Sequence, residues 1–157
     1  MKLEFWLVGN TAFDYLKERM DIYEKRLKHF IPFESRIIPD IKGAKNMREA
    51  QIKQKEGEKI LEKLEQGDFL MLLDERGKQF DSLVFADKLE QQFQLSHKRI
   101  IYLIGGAYGF SDEVYARANG RWSLSKLTFS HQMVRLFVLE QLYRAISIQR
   151  GLPYHHA

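Results

Sequence analysis

Apolar positions along the chain alternate between a strand-like and a helix-like period. Lys2 to Val8 is a nearly continuous apolar run ending at Gly9, the pattern of a buried strand. Phe13, Leu16, Met20, Tyr23 and Leu27 then recur at three- and four-residue spacing, which predicts a helix to about Phe30. Thr11 and Asp14 have capping-box spacing at its start. Phe33 to Ile38 reads as a strand closed by Pro39, and Asp40 to Lys45 as a loop. Asn46, with Glu49 three residues on, opens a highly charged helix to about Gln66. Asp68 to Leu73 is an apolar strand ending in Asp74, with a turn from Glu75 to Lys78 around Gly77. Ser82 caps a helix to about Phe93, and Arg99 to Ile104 is a second buried strand that stops at Gly105. Ser111 caps a short helix to about Ala118, and Trp122 to Leu124 is a short strand. His131 to Arg150 is a long helix, followed by Gly151 and the tail L-P-Y-H-H-A.

This alternation predicts an α/β fold with a mainly parallel sheet. A length of 157 residues predicts one domain, and neither a repeat nor a linker interrupts it. In the last helix Val134, Leu136, Phe137, Val138, Leu139, Leu142, Tyr143 and Ile146 cover more than half the circumference. Two arrangements satisfy that: a homodimer seam, which is the expectation here, or a central helix within a deep monomeric core.

With 45% hydrophobic residues the chain can build a core without staples. The absence of cysteine excludes disulfides, a thiolate zinc site and a cysteine nucleophile. No apolar run approaches the roughly 20 residues that span a bilayer. The start, M-K-L-E-F-W-L-V-G, is too short and too soon polar for a secretory signal, so a cytoplasmic protein is expected. A net charge of +4 leans weakly towards a polyanionic partner. The basic residues of the first helix, Lys17, Arg19, Lys25, Arg26 and Lys28, suit phosphate or equally a solvated face.

Gly105-Gly106-Ala107-Tyr108-Gly109 joins a strand to a helix, the position where open α/β sheets bind ligands. It lacks the G-x-G-x-x-G spacing, so a dinucleotide site is not expected. Ser123, Ser125 and Thr128 form a hydroxyl-rich loop suited to local backbone capping. His131 is a lone histidine at a helix start. The adjacent His155 and His156 have no third ligand partner, so no metal site is expected.

Together these segments form a pattern. L-L-D, L-I-G-G-x-x-G, W-S-L-S-K-L-T-F-x-H-x-M-V-R-L, E-Q-L-Y-R-A and a terminal P-Y-H resemble the smallest SPOUT methyltransferases, the ribosomal large subunit methyltransferase H family. The resemblance spans residues 1–157, and its specific part is the C-terminal half. It implies a parallel sheet with helices on both faces and a deep C-terminal trefoil knot at roughly 100–150, with the tail at 151–157. It implies S-adenosylmethionine held by Leu73, Gly105 and the loop Leu124, Ser125, Lys126, Leu127, Thr128 and Phe129. The implied reaction is methylation of N3 of a pseudouridine in 23S ribosomal RNA within the assembled ribosome. A cysteine-free chain suits nitrogen methylation, since carbon methylation of pyrimidines commonly needs a thiolate adduct. His155 is then the expected general base and Tyr154 its positioning partner, in a tail that completes the other subunit's site. His131 is expected to order the knot loop, and Arg135 and Arg144 to hold phosphate or the dimer seam. The chain departs from the family in two places: Ser130 stands where proline is usual, and His156-Ala157 replaces a charged ending. The competing classes are a non-catalytic ribosome- or RNA-binding factor with a degenerate knot, and a flavodoxin-like nucleotide module.

Overall fold

Five strands form one parallel sheet: β1 (Lys2–Val8), β2 (Phe33–Ile38), β3 (Phe69–Lys78), β4 (Arg99–Ile104) and β5 (Gly120–Trp122), in the order β2-β1-β4-β3-β5. The computed structural model describes residues 1–156; Ala157, the last residue of the expected tail, lies outside them. The central strands are apolar on both faces because helices cover both. Leu3, Phe5 and Leu7 of β1 and Ile100, Tyr102 and Ile104 of β4 enter one core. The alternate residues Trp6, Val8, Ile101 and Leu103 enter the other. Helices α1 (Asp14–Phe30), α3 (Ser82–Gln94) and α5 (Met133–Gln149) cover the first face. Helices α2 (Glu49–Lys63) and α4 (Asp112–Arg117) cover the second. Among the described residues no helix is long and apolar enough to cross a membrane.

Most apolar positions of α5 are satisfied within the chain. Val138, Leu139, Leu142 and Ile146 are buried between the sheet, α1 and α3, while Met133 and Phe137 remain 44% and 41% exposed. With Phe129, 37% exposed and 5.5 Å from Phe137 ring to ring, they leave a smaller apolar patch than the sequence suggested.

Several expected boundaries move. The polar run Glu75–Lys78 is strand, not turn: β3 continues to Lys78, irregularly paired with β5. Gly77 permits this, because an added Cβ would lie 2.7 Å from the β5 backbone at Arg121 and Trp122. Thr11 does not cap α1. Phe13 holds the cap position, while Thr11 is buried and its hydroxyl accepts from Arg135 at 3.0 Å. Asn46 lies in a 3-10 turn, and α2 opens at Glu49 with the Gln51 side chain accepting from the Arg48 N–H at 3.1 Å. Asp81 rather than Ser82 caps α3, accepting from the Val84 N–H at 2.8 Å. Ser111 caps α4 as expected.

Candidate active site

The carboxyl ends of β3, β4 and β5 enclose a cavity of about 560 Å3 with the approach to α5. That volume falls in the range of small-molecule sites, roughly 300–1,000 Å3. Leu73 and Ile104 reach it from the strand ends, and Gly105, Gly106 and Ala107 supply backbone. Leu124, Ser125, Leu127, Thr128 and Phe129 supply the opposite wall. Of the residues expected to hold a cofactor, only Lys126 does not line the cavity. Gly105 is required for shape: an added Cβ would lie 2.7 Å from the Phe110 ring. The hydroxyls of the opposite wall brace the loop itself. Ser123 donates to the Ser125 carbonyl at 2.8 Å, and the Ser125 hydroxyl accepts from the Leu127 N–H at 3.0 Å. Leu127 is 73% exposed, a rim residue rather than core.

Trp122 lines the cavity from an aromatic cluster. Trp122 stacks on Phe85 at 4.1 Å and meets Tyr102 edge-on at 5.7 Å. On the rim, the Tyr115 hydroxyl donates to Asp74 at 2.6 Å, and the Arg121 guanidinium lies 4.0 Å over the Tyr115 ring. Burial opposes the Asp74 charge, but the Tyr115 hydroxyl and the Arg76 N–H hold the carboxyl below its usual range. His131 lines the cavity half-buried. Burial and the nearby Arg135 push its protonation down, against the opposing field of Asp40. The balance favours the neutral imidazole.

Arg135 lies inside the protein. Its side chain is fully buried, and it donates to the Val8 carbonyl at 2.8 Å, the Gly9 carbonyl at 2.9 Å and the Thr11 hydroxyl at 3.0 Å. It ties α5 to the end of β1. Arg144 is partly exposed, and it holds Glu140 at 2.6 Å and His155 Nδ1 at 2.9 Å. An arginine has no acceptor, so Nδ1 accepts and the ring proton stands on Nε2. The Tyr154 hydroxyl sits 2.9 Å from Glu140 and 3.2 Å from the Tyr23 hydroxyl, and burial with these partners keeps it protonated. Neither Tyr154 nor His155 lines the cavity of its own chain.

Residues 1–155 match the family described as "Predicted SPOUT methyltransferase". The chain belongs to the SPOUT methyltransferase family. It is 51% identical to the ribosomal RNA large subunit methyltransferase H of Parabacteroides distasonis over 156 residues, covering 99% of each chain. The proteins of the same description from Flavobacterium johnsoniae and Bacteroides thetaiotaomicron are 49% and 46% identical, again with 99% coverage of each. A solved structure described as a probable methylase family protein from Haemophilus influenzae aligns with a TM-score of 0.53 at 11% identity. It covers 99% of this chain and 70% of that one, and shows likeness of fold alone.

In this SPOUT chain the sequence reading missed three neighbours of the cavity. Tyr115 and Arg121 build the Asp74 rim, and their only prior signal was their position beside the short strand. Glu56 is buried on the far side of the Gly106 wall. Its signal was Gly57, a glycine inside a charged helix, where an added Cβ would collide with Ser111 of α4.

Proposed function

We propose that the chain is an S-adenosylmethionine-dependent methyltransferase acting on N3 of a pseudouridine in 23S ribosomal RNA, within the assembled ribosome. The cavity carries the reading: seven of the eight residues expected to hold the cofactor wall one space of suitable size. The relatives, named as ribosomal RNA large subunit methyltransferases over nearly their whole length, support the substrate. The wall chemistry fits the cofactor. Main-chain donors and acceptors from Gly105 to Ala107 and Leu124 to Phe129 would pair with adenine, and Leu73, Ile104 and Leu127 would enclose the ring. S-adenosylmethionine supplies a sulfonium methyl group as the electrophile.

The residues of the chain then have two tasks. Holding the base against the methyl group is worth about 7–11 kcal/mol by proximity. Removing the N3 proton by a general base adds about 10²–10⁴-fold. His155 takes that proton, with Tyr154 beside it. In the described state the Nδ1 lone pair of His155 is engaged by Arg144, so its work as a base follows release from that contact. A homodimer provides the occasion: the tail of one subunit completes the cavity of the other, and the Phe129, Met133 and Phe137 patch lies at the seam. The trefoil knot belongs to the same proposal, supported by two cavity-walling loops that flank the path into α5. A cytoplasmic location follows from the ribosomal substrate.

Mass spectrometry of 23S RNA from cells lacking this protein tests the proposal. The expected result is one methyl lost from one pseudouridine; an unchanged modification profile overturns it. A non-catalytic binding factor, by contrast, gives no heat on titration with S-adenosylmethionine.

A further inference from the structure

The strand order reverses between β1 and β4, and at the carboxyl ends of these strands two carboxylates lie against two glycines. Glu56 of α2 is 7% exposed, with its carboxylate against Gly106: an added Cβ there would stand 2.5 Å from Oε1 and 2.6 Å from Oε2. Asp40, just past β2, meets Gly9 in the same way at 2.7 and 2.8 Å. Gly106 is also a wall of the cofactor cavity.

A buried carboxylate is ordinarily paired or hydrogen-bonded, because an isolated charge is costly in a low dielectric. Among the described residues Glu56 has neither, although its carboxylate oxygens are not sealed from solvent. Burial first, and then the like charge of Asp40, favour its protonated form, with no donor or cation offsetting them. Among the described residues, the elements packed around it have their polar groups placed or engaged elsewhere. On α4, Ser111 and Val114 pack on the neighbouring Gly57. Lys59, on the same helix, donates to the Pro39 carbonyl at 3.4 Å. His131 and Arg135, at the start of α5, face Asp40, and Arg135 is engaged by the end of β1. The fold thus holds an unpaired acidic group directly behind one wall of the cavity.

We infer that Glu56 is a specificity-determining residue, which favours the sulfonium form of the cofactor over the neutral thioether left after transfer. This rests on the S-adenosylmethionine reading above. When the methyl leaves, the bonding electrons stay on sulfur and its positive charge is lost. An anion behind the Gly106 wall attracts the first species and not the second, so product leaves more readily than substrate. A cation also favours the ionised carboxyl, so binding of the sulfonium compound drives a proton off Glu56. By linkage its affinity rises with pH through the acidic range, while that of the thioether does not. Using the ratio of the two affinities cancels the amino and carboxyl groups that both ligands carry.

The test is calorimetric titration of the full chain with S-adenosylmethionine and with S-adenosylhomocysteine from acidic to neutral pH. In Glu56→Gln the affinity ratio falls about tenfold near neutral pH, as expected of one charge acting through a partly buried medium, and its rise with pH disappears. His131→Asn and Asp74→Asn keep the rise, which separates Glu56 from two other titrating groups that line the cavity. An unchanged ratio and pH profile in Glu56→Gln overturns the inference, as does a rise that vanishes in His131→Asn. If Glu56→Gln does not fold, a rise shared by wild type, His131→Asn and Asp74→Asn supports the inference, and a flat ratio in wild type or a rise that vanishes in Asp74→Asn refutes it. Equal binding of the two compounds by wild type refutes this inference alone. Binding of neither refutes the cofactor reading beneath it.

Discussion

Arg135→Met tests whether α5 is pinned to the end of β1 by a buried guanidinium. The substitution preserves much of the volume and removes three donated hydrogen bonds, to Val8, Gly9 and Thr11. Each buried acceptor left unsatisfied costs about 1–3 kcal/mol. Part of this is offset, because a buried charge is removed whose protonated form burial already disfavours. A net loss of about 3 kcal/mol follows, and at about 2–4 °C per kcal/mol for a domain of this size the Tm falls by roughly 6–12 °C. Arg135→Lys recovers part of the loss, since an ammonium reaches fewer of the acceptors than the planar fork. Calorimetric melting of the three proteins provides the assay, with ribosome binding at two salt concentrations alongside. Unchanged Tm in Arg135→Met, together with weaker binding and a shallower salt dependence, would refute the structural role and return Arg135 to the RNA surface.

Three other outcomes are expected. Gly105→Ala presses a methyl against the Phe110 ring 2.7 Å away, so stability drops by about 1–3 kcal/mol and S-adenosylmethionine binds more weakly; wild-type melting and affinity would contradict that. Asp68 is buried, yet the Arg99 fork at 2.5 and 2.9 Å and the Glu65 N–H hold its carboxyl below the usual range. Its stabilisation is therefore present above the unfolded-state pKa and lost as pH falls through the folded one. Asp68→Asn should be less stable than wild type by about 3–5 kcal/mol at neutral pH, and the gap should close in acid; a pH-independent gap in urea melts would contradict it. His155→Ala should lower turnover about 10²–10⁴-fold while the calorimetric affinity for S-adenosylmethionine stays within about twofold; equal turnover removes its role as base.

Sequence pattern carried the order and type of the elements because each buried strand is apolar on both faces and each helix on one. It failed where a local signal served a distant partner. Thr11 looked like a cap and is instead an acceptor for Arg135, across 124 residues of chain. Gly77 looked like a turn and lets β5 approach β3. Beyond the Gly105–Gly109 turn, the walls of the cavity were legible only as a resemblance, because backbone that contacts a ligand leaves little mark on residue type beyond glycine. Glu56 was nearly illegible, since a glutamate in a helix as charged as α2 reads as solvent-facing and its one signal was the neighbouring Gly57. The close packing at Gly57 and the Gly106 loop against its carboxylate bury it. Strand order, which brings Gly9 and Gly106 together, is likewise a property of the folded sheet.

The most direct measurement uses purified protein, methyl-labelled S-adenosylmethionine and ribosomes from cells that lack the protein, with the RNA product read by mass spectrometry. The prediction is a single labelled methyl on N3 of one pseudouridine in 23S RNA. No transfer, or a methyl on any other atom or RNA, would contradict it.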